Sequence, residues 1–280
     1  MIKFPTPRLA TAMALVLALS APTAAEAQSD KDKIAALERQ VAQLTNQAQW
    51  ASDRGKVENL FSRYMYLHNA YRDPEIVSLW VKKGTPGVRA QYSNKGVYTD
   101  WDNIMSYHAQ RPSPKGKLLL HYTTTPLIEI AEDGQTAKGL WIMSGLESGL
   151  TDPEAAKNAP DFMYEKELVD GKKVWMHTVF VKYGLDFLKQ DGEWKIWHFR
   201  VFEVARSPHG LGWIPFAAKS QNMSFNDDLM YFGEDGKPVF MPKVDGPPVQ
   251  RNNPYRTDTH QTLDARPPEP YRTFKDTFEY

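Results

Sequence analysis

The sequence predicts an α+β fold: a cone-shaped, curved antiparallel sheet closed by N-terminal helices, with a long C-terminal arm. Three observations carry this. Tyr183 to Arg200 contains two strand-like runs around Asp191-Gly192, a dipeptide that accepts the positive φ of a tight hairpin turn. An earlier pair of strand-like runs flanks Glu132-Asp-Gly134 in the same way. Amphipathic helices precede both pairs, and helices followed by a strand meander indicate segregated rather than alternating elements.

The chain has 280 residues, 41% of them hydrophobic, with 34 Lys and Arg against 34 Asp and Glu. That balance argues against a nucleic-acid partner, which would call for a basic stripe. Cysteine is absent, which excludes disulfides, thiolate catalysis and cysteine-ligated metals. Residues 1–27 read as a signal peptide: Lys3 and Arg8, an apolar run from Leu9 to Leu19, and the small-residue site Ala25-Glu-Ala27. The alternative is a retained anchor, but the run is shorter than the roughly 20 residues that a bilayer core of about 30 Å requires. Cleavage after Ala27 and export, most simply to a bacterial periplasm, are expected, with no stable membrane insertion.

Residues 28–52 form an amphipathic leader helix, with Ile34, Leu37, Val41 and Leu44 at coiled-coil spacing. It either packs on the domain or a neighbouring subunit, or stays solvated. The main domain spans 53–205. Its first helix, Asp53 to His68, places Val57, Leu60, Phe61, Tyr64, Leu67 and His68 on one face. Asp73-Pro74 stops it, and Pro74 opens a short helix reaching Trp80. Val88 to Tyr98 reads as a strand pair or a bulged strand, and Trp101 to His108 as a helix. Strands follow at Leu118–Ile130, Thr136–Gly145, Trp175–Lys189 and Glu193–Val204. Thr151 to Asp170 is acidic and loop-like, with a turn at Val169–Lys172. Residues 206–280 form a Pro- and aromatic-rich extension, too aromatic for a disordered tail, that wraps its own domain or a neighbour.

The order of these features resembles the SnoaL-like family of the nuclear-transport-factor-two-like superfamily over about residues 53 to 205. The features are the helix, Asp73, His121 in Leu-His-Tyr-Thr-Thr-Thr, Glu132-Asp-Gly134, Asp186 and Asp191-Gly-Glu-Trp-Lys-Ile196. The resemblance implies a pocket inside the cone and a homodimer or homotrimer. Members include polyketide cyclases, ketosteroid isomerase, scytalone dehydratase and lyases that release formaldehyde from lignin-derived diaryl compounds; others only bind ligands.

By that resemblance His121 is the catalytic histidine, an imidazole able to move a proton near neutral pH. Tyr92 resembles a pocket tyrosine that holds a carbonyl or developing oxyanion. Tyr183 stands where the family places a polar pocket residue, and strand alternation turns it inward with His177, Val179, Val181 and Leu185, leaving Lys182 and Asp186 outward. Trp141 stands where the dehydratase carries a second histidine, so a two-histidine dehydration is not expected. The dehydratase's helix-borne acid has no clear counterpart, since Asn69 and Ala70 stand near it. Tyr64, His68 and Asn69 end the helix facing the pocket as substrate-binding candidates; His68 alternatively is a satisfied core residue. His198, which shares a last strand of ambiguous parity with Arg200, and Trp141 are further substrate-binding candidates.

No metal is expected, because the seven histidines show neither HxH nor HExxH spacing. The absence of a glycine-rich phosphate loop implies no nucleotide cofactor. The expected activity is a cofactor-independent lyase that eliminates water or formaldehyde from small aromatic, phenolic substrates, including lignin-derived diaryl compounds. The rival expectations are a non-catalytic binding or assembly protein of the same fold, and an isomerase or cyclase.

Overall fold

The computed structural model describes residues 30–92, 96–154, 156–157, 161–215, 230–235, 237–249 and 254–276. The expected signal peptide lies outside the described residues. The chain divides into two compact units, residues up to Gln47 and residues from Ala48 onward.

Helix α1 runs unbroken from Asp30 to Asn69. Two helices were expected here, and the difference has a simple cause. No proline lies between Leu44 and Asp53, and Asp53, the expected start of the second helix, lies within α1 and buries its carboxylate against Lys189 Nζ at 2.6 Å. In the first unit Ile34, Leu37, Val41 and Leu44 are all exposed on the helix. In the second unit α1 buries Val57, Phe61, Tyr64, Met65 and His68, the i, i+4, i+7 stripe of an amphipathic helix. No described helix is long and apolar enough to cross a membrane.

After α1 come α2 (Asp73–Ile76), a 3-10 turn at Val77–Leu79, strand β1 (Arg89–Tyr92) and α3 (Trp101–Ala109). Pro74 sits in the first turn of α2, where its missing N–H costs nothing. The Asp100 side chain caps α3 by accepting from the Asn103 N–H at 3.0 Å. Four long strands follow: β2 (Leu118–Ile130), β3 (Thr136–Thr151), β5 (Lys172–Gln190) and β6 (Glu193–Pro208), with a short β4 (Tyr164–Val169) beside β5. The sheet order is β1-β6-β5-β3-β2, antiparallel except for the parallel pair β1–β6. The sheet is curved and unclosed. Asp191 and Gly192 take φ of 51° and 81°, the left-handed pair a two-residue hairpin needs.

Several boundaries differ from expectation: β5 starts at Lys172 and β6 runs on to Pro208. β3 continues six residues beyond Gly145, and part of the expected loop 151–170 forms β4. β4 is an edge strand whose residues are nearly all exposed, so it carries no apolar alternation to read.

The core lies between the concave face and the helices. Phe61 packs on Trp141 at 4.4 Å, Tyr183 at 5.4 Å and Phe199 at 6.4 Å between ring centroids. The other face of the sheet carries a charged ladder. Lys138, Asp186 and His198 are neighbours across β3, β5 and β6. Lys138 Nζ and His198 Nδ1 each lie 2.8 Å from an Asp186 oxygen. Asp186 points outward from the core face, as expected, yet it is fully buried. The arm covers this region: Phe274 packs on Trp197 and His198 and lies 4.7 Å from Lys138 Nζ.

The described parts of the arm are tied to their own chain. The hairpin β7–β8 (Met230–Phe232, Pro238–Phe240) is followed by Pro242, whose carbonyl accepts from Tyr98 at 2.6 Å. Asp245 then accepts from the Thr99 and Asp100 N–H groups and from Asn103 Nδ2.

Asp186→Asn removes the charge that neutralises buried Lys138. A loss of about 3–5 kcal/mol in chemical denaturation is expected, with a substantial part recovered in the double variant that also carries Lys138→Met.

Candidate functional site

The buried polar groups on the core side gather around two carboxylates. The first is Asp73, at the start of α2 and 1% exposed. His68 Nδ1, from the last turn of α1, lies 2.9 Å from Asp73 Oδ1. His108 Nδ1 of α3 is 3.9 Å from the same oxygen, and Arg111 NH1 is 3.7 Å away. Burial raises the Asp73 pKa, but the N–H groups of His108 and His68 and the charge of Arg111 outweigh it and hold the carboxyl well below the usual range.

An ionised carboxylate only accepts, so the His68 nitrogen facing it is the protonated one. Arg111 NH1 lies 3.2 and 3.0 Å from the two ring nitrogens of His68. Near-equal distances place the guanidinium over the ring face, since in the ring plane it would overlap Cε1. The in-plane lone pair of His68 Nε2 is therefore left for another donor. Burial, reinforced by Arg111, lowers the His68 pKa to about 3, so the ring stays neutral.

The second carboxylate is Glu147 on β3. Its Oε1 lies 3.0 Å from His121 Nε2, and its Oε2 accepts from Arg206 NH1 at 2.6 Å. Burial pushes the Glu147 pKa up; Arg206 and His121 more than reverse this, so the group is ionised. Nε2 of His121 accordingly carries the proton, and Nδ1 presents a lone pair. That Nδ1 is buried with no hydrogen-bond partner among the described residues. The ring is positioned from three sides. Asn69 Nδ2 donates to the His121 carbonyl at 3.1 Å, while its Oδ1 accepts from the His121 N–H at 3.0 Å. Gly145 lies opposite His121 in the strand register. A Cβ there would stand 2.7 Å from His121 Cδ2 and 2.6 Å from the Leu120 carbonyl oxygen, so glycine makes the room.

The two imidazoles come together: His68 and His121 have ring centroids 5.6 Å apart. Tyr64 stacks on His68 at 5.6 Å. Tyr92 lies one step further back, its hydroxyl 3.0 Å from His108 Nε2 and its ring stacked on Tyr107 at 4.0 Å. Tyr183 and Trp141 face the same side but are buried among Phe61, Phe199 and Phe187. His198 does not join the site; it belongs to the ladder with Asp186 and reaches the Gly87 carbonyl at 2.9 Å. Asn69 acts on the His121 backbone.

Sequence reasoning missed Asp73, His108, Arg111, Glu147 and Arg206 as site residues. Asp73 supplies a carboxylate near the end of α1, where none was assigned, and His68 supplies a second histidine from a helix rather than from the Trp141 strand position. His108 was legible as part of the buried stripe Ile104, Met105, Tyr107, His108 on α3. Among the described residues no group of three or more His, Asp or Glu is arranged to hold a metal ion.

The SnoaL-like domain model matches residues 49–200, more than half of the chain. A Novosphingobium aromaticivorans protein provisionally named a scytalone dehydratase superposes with a TM-score of 0.41 and 13% identity, covering 60% of this chain and 94% of that one. A LinA hexachlorocyclohexane dehydrochlorinase from Novosphingobium barchaimii gives 0.41 and 14%, covering 60% and 99%. An NTF2-like protein of unknown function from Pseudomonas putida gives 0.37 and 10%, covering 54% and 86%. These likenesses are of fold. No curated protein sequence matches the chain.

Burial lowers the His177 pKa to about 4 and that of His68 to about 3, and lowers that of His108 as well. Unfolded, these rings take a proton near pH 6.5. The unfolded state therefore binds more protons between pH 6.5 and about 4, and stability falls as pH falls through that window. Each such histidine steepens the slope by about 1.4 kcal/mol per pH unit. Denaturant unfolding across pH 4.5–7 should show the slope, and His177→Gln should reduce it.

Proposed function

The chain belongs to the SnoaL-like domain family, and from that premise we propose that it is a cofactor-independent lyase working by acid–base elimination on small aromatic, phenolic molecules. One observation carries the reading. His121 is fixed by an ionised carboxylate at Nε2 and leaves a buried, unpartnered lone pair at Nδ1. That is the arrangement of a general base whose orienting partner also stabilises the imidazolium it becomes.

In this reading His121 Nδ1 removes a proton from the substrate, a carbon–oxygen bond breaks, and His121 returns the proton to the departing oxygen as water leaves. With a hydroxymethyl substrate the proton comes from the hydroxyl. The carbon–carbon bond then breaks to release formaldehyde, and its electron pair expels a neighbouring hydroxyl that leaves as water. Neutral His68 accepts a hydrogen bond from a substrate hydroxyl at Nε2. Arg111, above its ring, counters developing negative charge. Tyr92 acts through His108, and Tyr183 forms part of the aromatic wall. Lignin-derived diaryl compounds fit the aromatic surroundings, and the signal-like character of residues 1–27 supports export, most simply to a bacterial periplasm. A homodimer or homotrimer is the assembly proposed for the family's fold.

A binding role is the second reading, favoured by the arm residue Tyr231, whose ring lies 4.6 Å from the Arg111 guanidinium carbon. The discriminating experiment is turnover of phenolic diaryl-propanoids, followed by stilbene-like absorbance and formaldehyde release, with and without chelator. Chelator-resistant turnover that falls about 10²- to 10⁴-fold in His121→Ala is expected. Glu147→Gln should lower kcat less and shift the pH–rate profile. Saturable binding with no turnover would favour the binding role.

A further inference from the structure

Two donors that the acid–base reading does not use, and one nitrogen of an arginine that it does, lie beside it. Lys117 Nζ, Arg111 Nε and the Tyr71 hydroxyl are all buried with no hydrogen-bond partner among the described residues. The Arg111 side chain is only 7% exposed. Lys117 Nζ stands 5.0 Å from the Tyr71 ring centroid and 4.9 Å from that of Tyr231, over which Arg111 Cζ also lies. One phenol ring thus lies against both cations.

Arg111 faces Asp73, and Glu147 is held by Arg206 and His121, with Arg206 shared with Glu203. Lys117 Nζ bonds to none of these carboxylates. An ammonium enclosed by rings retains cation–π attraction, but its N–H groups remain without acceptors. Tyr71, moreover, is held at a φ of 54°, a left-handed conformation uncommon for a bulky aromatic residue. That conformation closes α1, with the Tyr71 N–H donating to the His68 carbonyl at 3.1 Å and the Arg72 N–H to the Leu67 carbonyl at 2.9 Å, and the cap sets the Tyr71 ring beside Lys117.

We propose that Lys117, Arg111 and Tyr71 form a subsite for a negatively charged oxygen of the substrate, a carboxylate or phenolate carried on an aromatic ring. Tyr231, whose hydroxyl lies 2.8 Å from that of Tyr107, is the wall against which that ring stacks. Arg111 joins this subsite to the proton carrier, because it also lies over His68, the neighbour of His121. The inference rests on the acid–base reading for what happens at His121, but binding alone tests it.

Calorimetric titration of the purified protein with benzoate, 4-nitrophenolate and neutral benzamide is the experiment. At least one of the two anions should bind, with benzamide weaker by about tenfold or more; which anion binds better separates carboxylate from phenolate. Lys117→Met should weaken anion binding about 10- to 100-fold and leave benzamide unchanged, and Lys117→Arg should retain it. If the methionine variant does not fold, pH provides the second measurement. Lys117 is faced by Arg111, Tyr71, Tyr231, Glu147 and Asp73; burial and then Arg111 bring its pKa down to about 8. Wild-type benzoate affinity should therefore fall as pH rises through 8. Equal affinity for benzoate and benzamide, no binding of any probe, or anion binding indifferent to both Lys117 and pH would overturn the proposal. Turnover that needs His121 but not Lys117 would overturn it too, while leaving the acid–base reading in place.

Discussion

The site depends on burying the carboxylate of Asp73. A charge that has left water needs partners close by, or it destabilises the fold it sits in. Here the partners come from separate elements: His68 from the end of α1, His108 from α3, and Arg111 just beyond it. Satisfying one carboxylate therefore fixes how two helices and a turn meet. The same contacts set the tautomer of His68 and bring Arg111 over its ring. The chemistry of this corner is a by-product of its electrostatic closure.

Glu147 plays the matching part on the sheet. It joins His121 on β2 to Arg206 on β6, across the curved face and past β5. With Asn69 bonding both backbone groups of His121, helix and sheet hold the imidazole from opposite directions. Such positioning on regular elements is more rigid than positioning on loops, which suits a group that must meet a reacting atom repeatedly.

Much of this was legible in the sequence, for physical reasons that differ by element. The hairpin at Asp191-Gly192 and the inward set Val179, Val181, Tyr183 and Leu185 follow from turn chemistry and a period of two, which are local. The α1 stripe follows from the helical period of 3.6, and His121 was singled out by family resemblance rather than by any local signal. The Glu147–Arg206 pair was not, because it lies where strands outrun their apolar alternation. β3 was expected to stop at Gly145 and β6 at Val204, so both charged residues fell just outside the predicted strands. Asp73 was hidden differently: Asp-Pro is a helix-boundary signal, and nothing local shows that such an aspartate will be buried. Asp186 and Lys138 taught the converse. Alternation gave their face correctly, but only the arm, placed by tertiary structure, decides that this face is dry.

One topological detail reaches beyond the site. β1 is parallel to β6, and His198 on β6 bonds the carbonyl of Gly87, 111 positions earlier. Neither local turn chemistry nor a hairpin can bring these segments together. The entropy of closing so long a loop is met only after the meander between them has formed. During synthesis, the segment that carries Tyr92 thus has no strand to pair with until most of the chain has left the ribosome. Pairing of this edge is therefore a late step, and the helical side of the cone acquires its floor only once β6 is in place.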